Sequence, residues 1–195
     1  MKAFDGFESK PRNKGFEQLP AGAYVAKIKA AKVDGHEPDQ ALILRLDIAE
    51  GKWEGYYTKR YMHDTKNKNS QYPAKYKGDF RIRIPNSENK KALYPEKDIA
   101  NFNDAIFRIE ESNQGYHWNW DEDTLRGLLV GVSVQQGTYN GFGFTRIARL
   151  EVVSDVRNGT VQQMEPLAPR GDACEPPMDQ QTGFTVVPDD GSVPF

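Results

Sequence analysis

Apolar and polar residues alternate with a period of two in residues 24–30 and again in residues 42–48. The apolar positions are Tyr24, Ala26, Ile28 and Ala30, then Leu42, Leu44, Leu46 and Ile48. A half-buried β-strand has this period, because its successive side chains point to opposite faces. A third strand is predicted near residues 55–62, and a shorter one over residues 80–84. The chain is therefore expected to be mainly β.

The period changes between residues 98 and 113. Four apolar residues at i, i+3, i+7 and i+10 from Ile99 form the stripe of an amphipathic helix, and Asp98 is placed to cap it. A short helical turn is predicted after Asp121, followed by a strand that begins at residue 130. Asn140-Gly141 is a hairpin turn signal, and residues 144–153 form the predicted returning strand.

The predicted order of elements is strand, strand, strand, helix, strand, strand. A five-stranded barrel of the OB-fold type, with a helix between strands 3 and 4, has this order. A generic β-sandwich with one helix is the alternative that the pattern leaves open.

The composition changes after about residue 155. Residues 156–195 contain six of the twelve prolines, two basic residues and six acidic ones, a net charge of −4. A proline-rich acidic segment without apolar periodicity buries too little surface to offset its ordering entropy. The sequence therefore predicts an OB-fold-like domain over residues 1–155 and a disordered tail over residues 156–195.

Several classes of protein are disfavoured by what the sequence lacks. Its single cysteine, Cys174, allows neither an intramolecular disulfide nor a cysteine-cluster zinc site. Neither a glycine-rich phosphate loop nor a nucleophile elbow is present, and the three histidines are scattered. No secretory signal or membrane-length apolar run occurs. We expect a cytoplasmic protein that is not an enzyme and that needs no cofactor or metal.

Residues 52–91 combine positive charge with aromatic rings. They contain eleven basic and four acidic residues, a net charge of +7 in a chain whose total is −2. Single-stranded nucleic acid needs this mixture, because cations neutralise phosphates and aromatic faces stack on bases. The predicted DNA-binding residues here are Trp53, Tyr57, Lys59, Arg60, Tyr61, Lys66, Lys68, Tyr72, Lys75, Tyr76, Lys77, Arg81 and Arg83.

A second aromatic patch surrounds the hairpin turn at Asn140-Gly141. The loop between the last two strands of an OB-fold is a frequent oligonucleotide contact. Tyr139, Phe142 and Arg146 are therefore added to the predicted DNA-binding residues, whereas Phe144 is expected to pack inward.

The last seven residues, 189–195 (DDGSVPF), resemble the acidic tip of bacterial single-stranded DNA-binding proteins. Asp189, Asp190, Val193, Pro194 and Phe195 carry the match, and residues 191–192 are an insertion relative to that tip. In that family the tip recruits replication, recombination and repair proteins. The resemblance implies that these five residues bind such partners.

The body resembles a phage protein family of the same single-stranded DNA-binding type. The similar segments are residues 15–24 (GFEQLPAGAY), 44–56 (LRLDIAEGKWEGY), 125–132 (LRGLLVGV) and 139–141 (YNG). The resemblance implies a phage protein that coats single-stranded DNA in the host cytoplasm during replication or recombination. An accessory protein that anneals strands, and a β-rich interaction or virion module that binds no DNA, are the alternatives. Oligomeric state stays open, with a homodimer as one option.

Overall fold

Five β-strands and three α-helices form the regular structure of the chain in a computed structural model, which describes residues 16–66, 73–86, 88, 95–140 and 142–169. In chain order the elements are β1 (Gly22–Asp34), β2 (Ala41–Ile48), α1 (Tyr56–Lys66), β3 (Asp79–Arg83), α2 (Pro95–Ser112), a 3-10 helix (Glu122–Leu125), β4 (Leu129–Tyr139), β5 (Phe142–Glu151) and α3 (Val153–Asn158).

The strands form one antiparallel sheet in the order β3-β2-β1-β4-β5. Strand β1 is central, with Ile28 opposite Leu46 of β2 and Ala26 opposite Val130 of β4. All four of these side chains are buried in one apolar core. The predicted mainly β fold is therefore confirmed, and the alternation in residues 24–30 and 42–48 correctly marks β1 and β2.

The sheet is not closed, so the expected closed barrel is wrong in this respect. Strands β3 and β5 are the two edges, and no ladder joins them in the part of the chain that the structure describes. Strand β3 is only five residues long, and α2 contacts both edges, so a helix rather than a ladder covers the core on this side. A cleft of about 430 Å³ remains between β3, α2 and β5.

Helix α2 buries most of the apolar stripe that the sequence predicts. Phe102, Ile106 and Ile109 lie in the core, whereas Ile99 is 47 % exposed. The helix begins at Pro95, because the fixed φ of proline suits the first turn of a helix. The predicted cap at Asp98 is therefore wrong, and this residue lies inside the first turn.

Residues 55–62, predicted as a strand, belong largely to helix α1. The buried carboxylate of Asp47 on β2 accepts hydrogen bonds from the amide of Tyr57, at 2.9 Å, and from the hydroxyl of Thr58. Amides in the first turn of a helix lack partners within the helix, and Asp47 supplies one from a distant strand. The third strand is instead β3, Asp79–Arg83, which overlaps the predicted short strand over residues 80–84 in all but one residue at each end.

The described chain continues in contact with the sheet beyond residue 155. The amide of Leu167 donates to the carbonyl of Gln136 on β4 at 2.8 Å, and the side-chain amide of Gln135 donates to the carbonyl of Glu165 at 2.7 Å. The packed part therefore extends into the segment that was assigned to the tail. The tip residues Asp189, Asp190, Val193, Pro194 and Phe195 lie outside the described residues.

No helix in the described ranges is both long enough and apolar enough to cross a membrane.

Candidate nucleic-acid interface

A groove of about 410 Å³ lies where α1, β2 and the segment before β3 meet. We call it the Tyr61–Tyr76 groove, and it is lined by Arg45, Tyr61, Ala74, Lys75, Tyr76 and Asp79. Three of these residues, Tyr61, Lys75 and Tyr76, were predicted to bind DNA. The fold therefore brings together residues that lie up to 15 positions apart in the basic segment.

The two tyrosines of the groove differ in their freedom to move. Tyr76 is anchored, because its hydroxyl donates to the carbonyl of Leu46 at 2.9 Å. Burial raises the pKa of Tyr76 to about 12, so the ring is neutral at physiological pH. Tyr61 is 39 % exposed, and its ring centroid lies 6.0 Å from that of Tyr76 in an edge-on arrangement. Tyr61 thus presents the accessible aromatic ring of the groove.

Arg45 supplies a fixed positive charge beside these rings. Its guanidinium donates to both carboxylate oxygens of Asp79, at 2.9 and 3.1 Å, and its Cζ lies 4.9 Å from the centre of the Tyr76 ring. The hydrogen bond that Arg45 donates to Asp79 raises the pKa of Arg45 further above its ordinary value. Asp79 balances part of this charge, and the exposed Lys75 adds another positive charge at the rim.

Gly78 holds the segment before β3 close to the sheet. Its carbonyl accepts a hydrogen bond from the amide of Leu46 at 2.9 Å. A Cβ atom at this position would collide with the carbonyl oxygen of Leu46 and would lie 2.7 Å from Cγ of Tyr57. Only glycine allows the backbone this close, and the approach places Tyr76 and Asp79 around the groove.

Arginines on β3 share the outer face of the sheet with Arg45, but each has an acidic partner. Arg81 donates to Asp34 at 3.1 Å. Arg83 has carboxylate oxygens of Asp39 and Asp98 at 3.8 and 3.7 Å. A phosphate that binds to this face must therefore compete with these carboxylates.

Two predicted DNA contacts are held in structural roles. Tyr57 is only 1 % exposed, because its ring packs in the core between the rings of Tyr56 and Tyr76. Its predicted role as a surface on which bases stack is therefore wrong. Burial also raises the pKa of Tyr57. Arg60 donates to the hydroxyl of Tyr56 at 3.1 Å and lies 3.8 Å from Asp64.

Other residues of the basic segment lie outside the lining of the groove. The half-buried ring of Trp53 packs edge-on against Tyr56 and lies under the ammonium group of Lys52. Lys59 donates to the carbonyl of Glu54 at 2.7 Å. The remaining exposed members are Lys66, at the end of α1, and Lys77, next to Gly78. Lys68 and Tyr72 lie outside the described residues.

At the β4–β5 hairpin, Tyr139 is 59 % exposed, as the prediction requires. Arg146 donates to the side-chain oxygen of Gln135 at 3.1 Å, and the side chain of Phe142 lies outside the described residues. Phe144 is half-buried and lies directly opposite Gly137, on the same outer face as Arg146. It therefore packs across the outside of the hairpin rather than into the core.

Arg45 is the positively charged residue of the groove that the sequence analysis missed, together with its partner Asp79. It occupies a polar position in the alternation of residues 42–48, so the pattern places it on the face opposite the core. This outward position was the sequence feature from which Arg45 could have been predicted as a surface residue of the site. Its partners on β3 and α1 depend on strand register and on a helix that the pattern did not indicate.

No known protein-family model matches the chain, and no curated protein matches its sequence. The resemblance to single-stranded DNA-binding proteins therefore remains a prediction.

Proposed function

We propose that this chain is a single-stranded DNA-binding protein and that its sheet is a partly open OB-fold. The strand order and the position of α2 between β3 and β4 support this assignment. An OB-fold can be partly open, and it binds oligonucleotides on the face formed by strands 2 and 3. In this chain that face carries Arg45, Arg81 and Arg83, and the Tyr61–Tyr76 groove lies at its end.

The groove is the observation that carries the proposal. The exposed ring of Tyr61 offers a stacking surface for one base, and the neutral Tyr76 ring and Arg45 support it from behind. Lys75 stands at the rim, where a backbone phosphate would pass. Stacking tolerates any base, because every base has a π face, so this arrangement favours binding without strong sequence preference.

The acidic partners of the arginines set the strength of the electrostatic contribution. A phosphate that replaces Asp79 on Arg45 forms one ion pair while it breaks another, so the net gain is small. Lys75 and Lys77 are exposed and have no carboxylate partner among the residues that the structure describes, so a phosphate can contact them there without displacing one. We therefore assign most of the salt dependence of binding to these lysines.

The remainder of the proposal rests on the sequence resemblance. The protein coats single-stranded DNA during phage replication or recombination in the host cytoplasm, without catalysing a reaction. Its C-terminal tip, residues 189–195, recruits partner proteins through the ring and carboxylate of Phe195 and the acids before it. Deleting Phe195 should abolish capture of a purified host protein known to bind such tips, without changing affinity for DNA.

The decisive experiment is a fluorescence titration of the full chain with labelled oligo-dT at two salt concentrations. We expect Tyr61→Ala to weaken binding by about 1 kcal/mol or more, which is about fivefold or more. Val33→Ala is the matched control, because Val33 on β1 is an apolar residue with the same 39 % exposure as Tyr61 and lies outside the groove.

Absence of binding at low salt would refute the proposal and favour the interaction module that binds no DNA. Equal losses in Tyr61→Ala and Val33→Ala would show that the groove is not the binding site.

A further inference from the structure

A second surface of the molecule combines acidic and exposed apolar residues. Residues 95–125 contain eight acidic and two basic residues, a net charge of −6, in contrast to the +7 of residues 52–91. Three large apolar side chains in this region, Ile99, Phe107 and Trp120, are 47, 56 and 72 % exposed. Large apolar side chains grouped on a surface are typical of a site where another molecule binds.

The loop that precedes the 3-10 helix lies along α2 and adds the exposed ring of Trp120 to the surface of this region. The Trp120 ring stacks on Phe102 of α2, with ring centroids 5.9 Å apart and planes 13° apart. The amide of Trp118 donates to Glu110 at 2.7 Å, which fixes the loop along the helix. Ile99 and Phe107 are eight residues apart, which places them about 80° apart around the axis of α2 and about 12 Å apart along it, within one half of its surface.

Trp120 also has an unusual backbone conformation. Its φ of 66° lies in the left-handed region, which bulky residues rarely adopt because their Cβ is crowded there. Such conformations persist where the surrounding structure holds them, and they occur often at functional sites. Here the strain places a large ring on the surface. We define the α2 face as Ile99, Phe107 and Trp120 with the flanking acids Glu96 and Glu111.

Helix α1 carries a surface of the opposite charge. Lys59, Met62 and Lys66 follow the spacing i, i+3, i+7, so they share one side of the helix, away from Tyr57 and Tyr61. Met62 is 56 % exposed, and both lysines are exposed. We define these three residues as the α1 face. It resembles the α2 face in having an apolar centre with charges on either side.

We propose that the α2 face docks on the α1 face of a second copy of this chain. The charges of the two faces are opposite, and the flexible Met62 side chain is suited to pack against the exposed apolar side chains of the α2 face. The two faces are different surfaces, so the contact is heterologous and each copy can bind one neighbour on either side. Neither face includes residues that line the Tyr61–Tyr76 groove, and the inference does not rest on DNA binding.

Sedimentation velocity on the full chain tests this proposal, with concentrations up to about 100 μM at about 50 mM and about 500 mM salt. We expect concentration-dependent association that weakens at the higher salt concentration. Phe107→Ser and Glu96→Lys/Glu111→Lys should each weaken association about tenfold or more. The control Glu37→Lys/Glu165→Lys makes the same change in net charge at exposed residues outside the α2 face and should associate like the wild type.

A charge swap makes the test specific for the pair of faces. Lys59→Glu/Lys66→Glu should also abolish self-association, but mixing it with Glu96→Lys/Glu111→Lys should restore assembly, because each swapped face then meets an oppositely charged one. Far-UV circular dichroism confirms that each variant is folded. A wild type that stays monomeric throughout, a mixture of folded variants that stays monomeric, or equal association in the Glu96→Lys/Glu111→Lys and control variants would overturn the proposal.

Discussion

Replacing Gly78 by alanine tests the close approach that shapes the Tyr61–Tyr76 groove. The new Cβ would collide with the carbonyl oxygen of Leu46 and would lie 2.7 and 2.8 Å from two ring carbons of Tyr57. Neither neighbour can move easily, because the first is strand backbone and the second is a ring only 1 % exposed. The segment must therefore shift away from β2, and the hydrogen bond from Leu46 must lengthen.

The expected loss of stability follows from these contacts. Overfilling a packed site lowers the free energy of unfolding by about 1–3 kcal/mol. Because both neighbours of the new Cβ are fixed, we expect the cost of Gly78→Ala to lie at about 2–3 kcal/mol. Reduced freedom of the unfolded chain returns about 0.4–1 kcal/mol. The net free energy of unfolding should fall by about 1–2.6 kcal/mol, which lowers Tm by about 2–10 °C for a chain of this size.

Thermal and urea denaturation, followed by circular dichroism, measure this difference. Gly143→Ala is the matched control, because its Cβ would meet only the side chain of Gln18, at 3.3 Å, and that side chain can move. We expect this control to remain within about 0.5 kcal/mol of the wild type. A Gly78→Ala variant as stable as the control would refute the argument that this contact is fixed.

Lys75→Gln and Lys77→Gln should each reduce the slope of log affinity against log salt concentration by about 0.7 on single-stranded DNA. Titrations at several salt concentrations measure this slope, and unchanged slopes would place the phosphate contacts elsewhere. Tyr57→Phe should raise the free energy of unfolding by about 1 kcal/mol in urea denaturation, because the buried hydroxyl has no hydrogen-bond partner among the described residues; a loss of stability would contradict this. The same variant should bind oligo-dT as the wild type does, because its ring is buried. The raised pKa of Tyr76 predicts a stability contribution that is complete below pH 10 and is lost as pH rises through about 12, because the unfolded chain releases its proton first. Ultraviolet phenolate absorbance should therefore show Tyr76 ionising after the exposed tyrosines, and simultaneous ionisation would contradict the burial argument.

The local sequence pattern was sufficient to predict an element where a strand or helix buries one face against the core. The alternation in residues 42–48 and the stripe from Phe102 to Ile109 each reflect a single element against one core, so period alone indicates them. The turn at Asn140 between β4 and β5 could also be predicted from the sequence, because the φ of 47° at Asn140 is one that asparagine tolerates. These features depend on neighbours in sequence.

Helix α1 was missed because its start depends on a distant residue. Tyrosine and threonine at positions 56–58 favour a strand by local propensity, and the partner that satisfies the first turn is Asp47, about ten residues earlier in the chain. The same limit applies to the site. The sequence indicated Tyr61, Lys75 and Tyr76 by composition, but it could not separate them from the buried Tyr57 without knowing that α1 is a helix.

Because the sheet is open, its two edge strands could pair with strands of other molecules. An edge strand presents unpaired backbone groups to which a strand of another molecule can add, and this is a route to aggregation. In the described chain both edges have defences: β3 is only five residues long and bears Arg81 and Arg83, and β5 bears Arg146 and Arg149. Charged side chains along an edge oppose such pairing. The arginines of β3 therefore oppose pairing between sheet edges independently of the proposed DNA binding.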